Sequence, residues 1–413
     1  MSRPFRILSI DGGGIRGIIP ALVLQEIERL TGRRIAELFD LIAGTSTGGI
    51  LALGLARPGQ GGVPAFRAAD LVGLYEREGS HIFSRSVWHR ARALGNAFEE
   101  KYPTAPVERV LQQYFGEARL SEALTNVLVT GYEIEERRPF FFKSHNAKKD
   151  PAADDFPMRW AARATSAAPT YFEPAKVPAT VSKGYQALVD GGVYANNPAM
   201  CAYVEALCKW GPERIVLLSL GTGEAVQPIP YKSAKDWGLV NWAQPILNVV
   251  FDGVSDTTDF HLRSLMGQDT GKLVGYWRLQ VQLKPGQDAM DDSSPENIHA
   301  LRQTAEQLVA GSAATLAEIC AAIAEPGSSP DPQALEATPS PGPGRDHGWC
   351  DAAPRKPPFA GRARGRAPAL RLHLDGLAVP QEQAGRDRVA PATGPEAGGR
   401  DRRPRLEGSN RQA

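Results

Sequence analysis

Three glycine-bearing turns put residue types capable of chemistry where strands would end. The first, Asp11 to Gly17 (DGGGIRG), follows the apolar run Phe5 to Ile10 and precedes a helical pattern. Consecutive glycines let backbone N–H groups converge on one point, and a helix N-terminus behind them adds positive potential. Such a turn suits an anion. The second, Gly44-Thr45-Ser46-Thr47-Gly48, is a G-x-S-x-G between FDLIA and ILALGLA. A strand-to-helix turn of this type exposes a serine hydroxyl above a sheet, and small neighbours let strand and helix approach closely. The third, Asp190-Gly191-Gly192, follows the apolar run ALV and places a carboxylate at a strand end, within reach of a site shared with Ser46.

Each turn also has a plainer reading. Gly12, Gly14 and Gly17 satisfy G-x-G-x-x-G, the dinucleotide fingerprint. That reading needs an acid after the next strand to hold a ribose hydroxyl. The next strand runs instead into Gly44 to Gly49, and no Walker-type lysine follows. The second turn could be a simple glycine-rich corner, and Asp190 could merely bond its own turn amides. A serine nucleophile also needs a base, usually a histidine held by an acid. Between Asp190 and Glu325 the only histidines are His261 and His299, and neither lies in a glycine-rich or strand-end turn. Both read as surface or packing residues. A Ser–Asp dyad, with the carboxylate taking the serine proton directly, is the economical alternative.

The elements that would hold these turns follow from apolar periodicity. Phe5–Ile10, Leu38–Ala43, Asn126–Tyr132, Phe140–Lys143, Ala187–Val189, Arg214–Leu220 and Tyr276–Leu283 read as strands. Ile18–Leu30 places Ile19, Leu22, Val23, Ile27 and Leu30 at helical spacing, and helical patterns recur at Ile50–Leu55, Val107–Phe115 and Pro198–Trp210. Strands alternating with helices predict an α/β fold with a mostly parallel sheet covered on both faces.

Composition bounds the rest. The 413 residues carry 47 basic and 46 acidic side chains, a net charge of +1, which points to no nucleic-acid partner. Four cysteines exclude a disulfide scaffold and are expected to be reduced, and no metal-ligand spacing occurs, so no metal site is expected. Residues 1–325 form the expected folded body. From Pro326 to Ala413, 14 Pro and 12 Gly in 88 residues mark a low-complexity tail expected to be disordered, with 13 Arg against one Lys. Neither a signal-peptide core nor an apolar run of about 20 residues occurs, so a cytoplasmic protein is expected, with export by a signal-less route left open.

Together, and in this order, DGGGIRG, GTSTGG and DGG resemble the patatin-like phospholipase family of lipid acyl hydrolases. Arg163–Phe172 (RATSAAPTYF), Asn196-Asn197-Pro198 and Leu218–Gly223 (LSLGTG) are similar to that family as well. The resemblance spans about Arg6 to Gly223, more loosely to Cys320, and excludes the tail. It implies a three-layer α/β/α domain with Ser46 as nucleophile and Asp190 as its base. The amides of Gly12, Gly13 and Gly14 would form the oxyanion hole, and Arg16 would support that loop or a substrate phosphate. Gly44, Gly48 and Gly191 would be the small residues of the turns. It further implies a phospholipid or lysophospholipid substrate, peripheral membrane contact and no cofactor. Ile82-Phe83, Val87-Trp88 and Trp237–Trp242 are candidates for an acyl tunnel or a bilayer contact, or for core. An effector switched on by a ligand or partner, and a non-catalytic storage or scaffold protein, are the rival readings. Nothing in the sequence sets the oligomeric state.

Overall fold

Residues 3–82, 104–180, 184–224, 228–242, 245–266 and 272–324 are described in the computed structural model of the protein. The tail from Pro326, and Phe83, Val87 and Trp88, lie outside them. Eight strands form one mixed sheet: β1 (Phe5–Ile10), β2 (Leu41–Gly44), β3 (Asn126–Glu133), β4 (Arg138–Lys143), β5 (Ala175–Pro178), β6 (Tyr185–Asp190), β7 (Ile215–Leu220) and β8 (Leu273–Leu279). Their order is β5-β6-β3-β2-β1-β7-β8, with β4 also on β3. β3, β2, β1, β7 and β8 run parallel to one another; β4 and β6 are antiparallel to β3, and β5 to β6.

The central strands are apolar on both faces because both are covered. On β1, Leu8 and Ile10 join the larger core, while Phe5 and Ile7 join the smaller one on the opposite face. The longer helices are α1 (Ile18–Thr31), α2 (Thr47–Ala56), α3 (Ala68–Ile82), α4 (Thr104–Phe115), α5 (Met158–Thr165), α6 (Ala199–Lys209), α7 (Pro245–Met266), α8 (Pro295–Gly311) and α9 (Ala313–Ala324). Ala199, Ala202 and Tyr203 of α6 and Leu262 of α7 cover the smaller core; α1, α2 and α5 lie over the larger. The result is the expected three layers.

Several boundaries differ from the sequence reading. Leu38 sits in a helical turn, Ile35–Leu38, so β2 begins only at Leu41. β8 starts and ends earlier than its apolar pattern, and beyond Leu279 only an isolated bridge from Gln282 to Glu224 remains. Leu30 shares the helical spacing of α1, yet is 44% exposed where the helix runs out past the core. β5 was not legible at all: its side chains alternate buried and exposed, and Pro178 ends an edge strand that can dispense with one N–H. Cys201 and Cys320 are free thiols.

Two pairings position the turns. The C-terminal ends of β1, β2 and β7 lie side by side, with Ile10 opposite both Gly44 and Leu220. Ligands of open α/β sheets bind beyond such ends. At the same level, a buried ion pair joins Arg278 of β8 to Asp11 at 2.6 Å, with side-chain exposures of 6% and 2%. Arg278 also donates to Ser219 Oγ of β7 at 2.9 Å. Burial pushes the Asp11 carboxyl up, and the Arg278 charge opposes it. Arg278→Met should therefore cost about 3–5 kcal/mol by stranding the carboxylate. Urea unfolding should show a larger loss at pH 8 than at pH 5, because the stranded carboxyl can take up a proton at the lower pH.

Candidate active site

Ser46 and Asp190 come together because two strands end against one neighbour. β2 runs along β3 until Gly44 lies opposite Val129, and β6 runs the opposite way until Asp190 lies opposite Gly131. β4 pairs with Leu128 through Glu133 on the other edge of β3, so β2 and β6 must share this edge. Their C-terminal ends therefore point at each other across Thr130. The Thr130 hydroxyl bonds Thr45 Oγ1 at 2.7 Å, and Thr45 in turn donates to the Ala195 carbonyl at 2.6 Å. With the Thr45 proton so used, Thr130 is the donor to Thr45.

Ser46 follows directly at the N-terminus of α2, with φ 53° and ψ −123°. A non-glycine residue at positive φ is strained and persists only where its surroundings enforce it. Here Thr165 Oγ1 of α5 accepts the Ser46 N–H at 2.8 Å. Close packing completes the turn, since a Cβ on Gly48 would lie 2.1 Å from the Ile10 carbonyl oxygen. The Ser46 side chain is half-buried and faces a cleft of about 780 Å³ including its open mouth. Asp190 lines the same cleft, with Gly13, Gly14, Leu74, Val107, Tyr171, Phe172 and Phe251 among its walls.

Asp190 is 1% exposed. Its Oδ1 accepts the Gly192 N–H at 2.8 Å, just past Gly191, whereas Oδ2 is buried without a hydrogen-bond partner. Burial raises its pKa from 3.8 to about 7, against the lowering effects of the Gly192 amide and the neighbouring Ser46 hydroxyl. The Ser46 hydroxyl thus acts on a carboxyl whose Oδ2 has no hydrogen-bond partner. A free carboxylate oxygen beside a serine, titrating near neutrality, can act as a base.

The glycine loop divides unevenly. Gly12, expected among the oxyanion donors, gives its N–H to the Asn196 carbonyl at 3.0 Å, so it is not available to a ligand. Ile15 donates to the Met290 carbonyl and Arg16 to that of Gly13. Among the described residues, the amides of Gly13 and Gly14 alone in this loop remain without a partner, and both residues line the cleft. Gly14 takes φ 58°, and a Cβ there would meet the Met290 carbonyl oxygen at 2.1 Å. Two free amides fit an oxyanion but are too few to cradle a pyrophosphate, and no acid follows β2. The dinucleotide reading has no support here.

Arg16 holds the loop. It is buried, its pKa is lowered by burial, and it donates to the Gly13 carbonyl at 3.3 Å and that of Gly223 at 3.5 Å. Thr222 Oγ1 donates to the Gly12 carbonyl at 2.6 Å. These bonds occupy the Gly12 and Gly13 carbonyls, while Gly13 and Gly14 line the cleft. His261 and His299 are exposed, and among the described residues no histidine lines the cleft. Among the described residues no cluster of His, Cys, Asp or Glu could hold a metal ion. Sequence reasoning did not single out Thr165, Thr222 or Arg278. The first two lie inside RATSAAPTYF and LSLGTG, so a signal existed for their segments; none existed for Arg278.

The geometry defines a class: an α/β protein whose strand-end cleft presents a strained serine, a buried carboxylate and two free amides. The family model for patatin-like phospholipases matches residues 8–203. Patatin-like protein 4 of Arabidopsis thaliana is 34% identical over 333 residues, covering 73% of this chain and 82% of the relative. Probable inactive patatin-3-Kuras 1 of Solanum tuberosum is 33% identical over 329 residues, covering 73% and 86%. The solved structure of VipD from Legionella pneumophila matches at a TM-score of 0.28 and 11% identity, over 75% of this chain and 67% of that one, a likeness too slight to argue from. The chain belongs to the patatin-like phospholipase family, and that membership supports a lipid acyl hydrolase activity.

The carboxyl at position 190 has a measurable thermodynamic signature. Its folded pKa of about 7 exceeds the ordinary 3.8, so ionising it in the fold destabilises the protein from roughly pH 4 upward, in full above about pH 7. Asp190→Asn should raise the unfolding free energy at pH 8 by a few kcal/mol, since each tenfold gain in proton affinity on folding corresponds to about 1.4 kcal/mol. At pH 4 thermal unfolding should show little difference between the two proteins.

Proposed function

We propose that this protein hydrolyses carboxylic esters of phospholipids or lysophospholipids through a Ser46–Asp190 dyad and an acyl-enzyme. The observation that carries the reading is the strained Ser46 sharing one cleft with Asp190, whose Oδ2 is partnerless, with no histidine lining that cleft among the described residues. Asp190 takes the Ser46 proton as Oγ attacks the acyl carbonyl, and the Gly13 and Gly14 amides receive the negative charge on the carbonyl oxygen. As the tetrahedral intermediate collapses, the ester C–O bond breaks and Asp190 returns the proton to the leaving alcohol. A water then gives its proton to Asp190, attacks the acyl-serine and releases the fatty acid, regenerating both groups. The apolar walls of the cleft, Leu74, Val107, Tyr171 and Phe172 among them, suit an acyl chain.

A carboxylate titrating near 7 is a stronger base than an exposed one and still a competent acid when protonated. It must be ionised to begin the cycle. Log kcat/KM for a short p-nitrophenyl ester should therefore rise with unit slope below about pH 7 and level off above it. A flat profile between about pH 5 and 8 would remove Asp190 as the base.

Ser46→Ala and Asp190→Asn should each lower turnover by roughly a thousandfold or more while both remain folded. A fluorescent fluorophosphonate should label wild type and not Ser46→Ala. Failure of wild type to label or release fatty acid from phospholipid vesicles would instead favour a non-catalytic role. The assignment of residues 326–413 as a disordered tail is likewise a proposal, tested by limited proteolysis, which should trim the chain to a stable fragment ending near residue 325.

A further inference from the structure

Two cavities meet at one side chain of α4. That helix contributes Val107 and Leu111 to the cleft that holds Ser46. A second cavity, about 370 Å³ including its open mouth, is lined by Glu108, Leu111 and Gln112 of α4 and by Arg159, Trp160 and Arg163 of α5. The two helices pack against each other. Among the described residues Leu111 alone lines both cavities. Helical geometry places it there. At about 100° per residue, Leu111 sits roughly 40° around the helix from Val107 and roughly 60° from Glu108, between the side that faces the cleft and the side that faces the second cavity. Leu111 is itself buried, 3% exposed.

The second cavity is charged, but its charges are committed to partners in the protein. Arg163 is buried, donates to the Glu173 carbonyl at 3.0 Å and lies 3.6 Å from the Glu108 carboxylate. Arg159 donates to the Gly116 carbonyl at 2.8 Å and pairs with Glu117 at 2.7 Å. Arginines so paired offer an anionic headgroup little. Their methylene stems and the Trp160 ring can still lie against hydrocarbon. On the near side, Leu74, Val107, Tyr171 and Phe172 give the cleft walls that suit an acyl chain. Space for more chain therefore continues beyond Leu111, and the leucine side chain stands between the two.

We infer that Leu111 is the partition that ends the acyl pocket, so that its size sets the longest fatty acyl chain the cleft accepts. The inference deepens the proposed hydrolase reading and rests on it for the nature of the ligand, but it can be tested by binding as well as by turnover. Leu111→Ala joins the two cavities, and Leu111→Phe thickens the partition. Leu111→Met nearly conserves volume and serves as the packing control.

Binding is read by displacing a dansyl-labelled fatty acid with saturated fatty acids from octanoic to eicosanoic. Turnover is read by mass spectrometry of the fatty acids released from an equimolar mixture of p-nitrophenyl esters of the same chain lengths in detergent micelles, which gives kcat/KM ratios within each protein. For wild type both should rise with chain length to a limit and then fall. Leu111→Ala should move the limit to longer chains, with a gain of about fourfold for each methylene newly accommodated, and Leu111→Phe should move it to shorter ones. Leu111→Met should keep the wild-type limit. Thermal unfolding checks that each variant is folded; if Leu111→Ala is not, the shift in Leu111→Phe decides alone. Chain-length profiles that coincide in wild type and the folded variants overturn the inference. So does a failure of every fatty acid to displace the probe, because the cleft then takes no acyl chain. Shifted binding profiles with no ester cleaved would keep the partition and sink the hydrolase reading.

Discussion

One edge of one strand brings Ser46 and Asp190 together. β3 accepts β2 on its first half and β6 on its second, and these two neighbours run in opposite directions. Ser46 and Asp190, far apart in sequence, are thereby delivered from opposite ends of a single groove. Neither a fully parallel nor a fully antiparallel sheet would aim two C-terminal strand ends at each other. The mixed character of the sheet is therefore what brings the two side chains to one cleft. Thr130 occupies the gap and holds Thr45, and through it Ala195, so the level at which the two ends meet is set by hydrogen bonds as well as by register.

The turns read directly from the sequence are the ones whose local chemistry is complete in a few residues. Ser46 needs a strand, a helix and small neighbours, and all are contiguous; Asp190 needs a strand end and a glycine turn. What could not be read depends on partners far away. Gly12 looks equivalent to Gly13 and Gly14 until the Asn196 carbonyl takes its amide. Thr165 is an ordinary threonine in a helical pattern until its hydroxyl meets the Ser46 N–H. Arg278 lies in an apolar strand pattern with nothing nearby to mark it, since its partner is at the other end of the domain's sequence. Helix and strand periodicity located the parallel core because those segments are buried on both faces. It missed β5, where exposed Lys176 and Pro178 break the apolar run.

The loop around Gly13 and Gly14 shows how a backbone is made to present donors. An N–H can stabilise developing charge without reorganisation only if it already points there and has no other partner. Three restraints achieve this from behind: Thr222 on the Gly12 carbonyl, Arg16 on the Gly13 carbonyl, and Met290 accepting from Ile15. The first two occupy carbonyls that could otherwise accept from the free amides, and the third anchors the chain just after them. Buried ion pairs and buried arginines add little net stability. Their placement around this loop is better understood as fixing orientation.

Asp190 shows the opposite side of the same economy. Its carboxyl is almost fully buried at the cleft wall, with one oxygen tied to the Gly192 amide and the other left partnerless. The fold gives up stability at neutral pH to keep it there, and the pKa near 7 is the measure of that loss. A fully hydrogen-bonded carboxylate would be more stable and a poorer base. In the proposed reaction the same group must later act as an acid toward the leaving alcohol. A proton affinity between those of an exposed carboxylate and an alkoxide serves both steps. A histidine reaches that intermediate value unaided; an aspartate reaches it only when desolvated. In the proposed reaction the deep burial of Asp190 would take the place of a histidine base, and the braced glycine loop would keep the Gly13 and Gly14 amides in position.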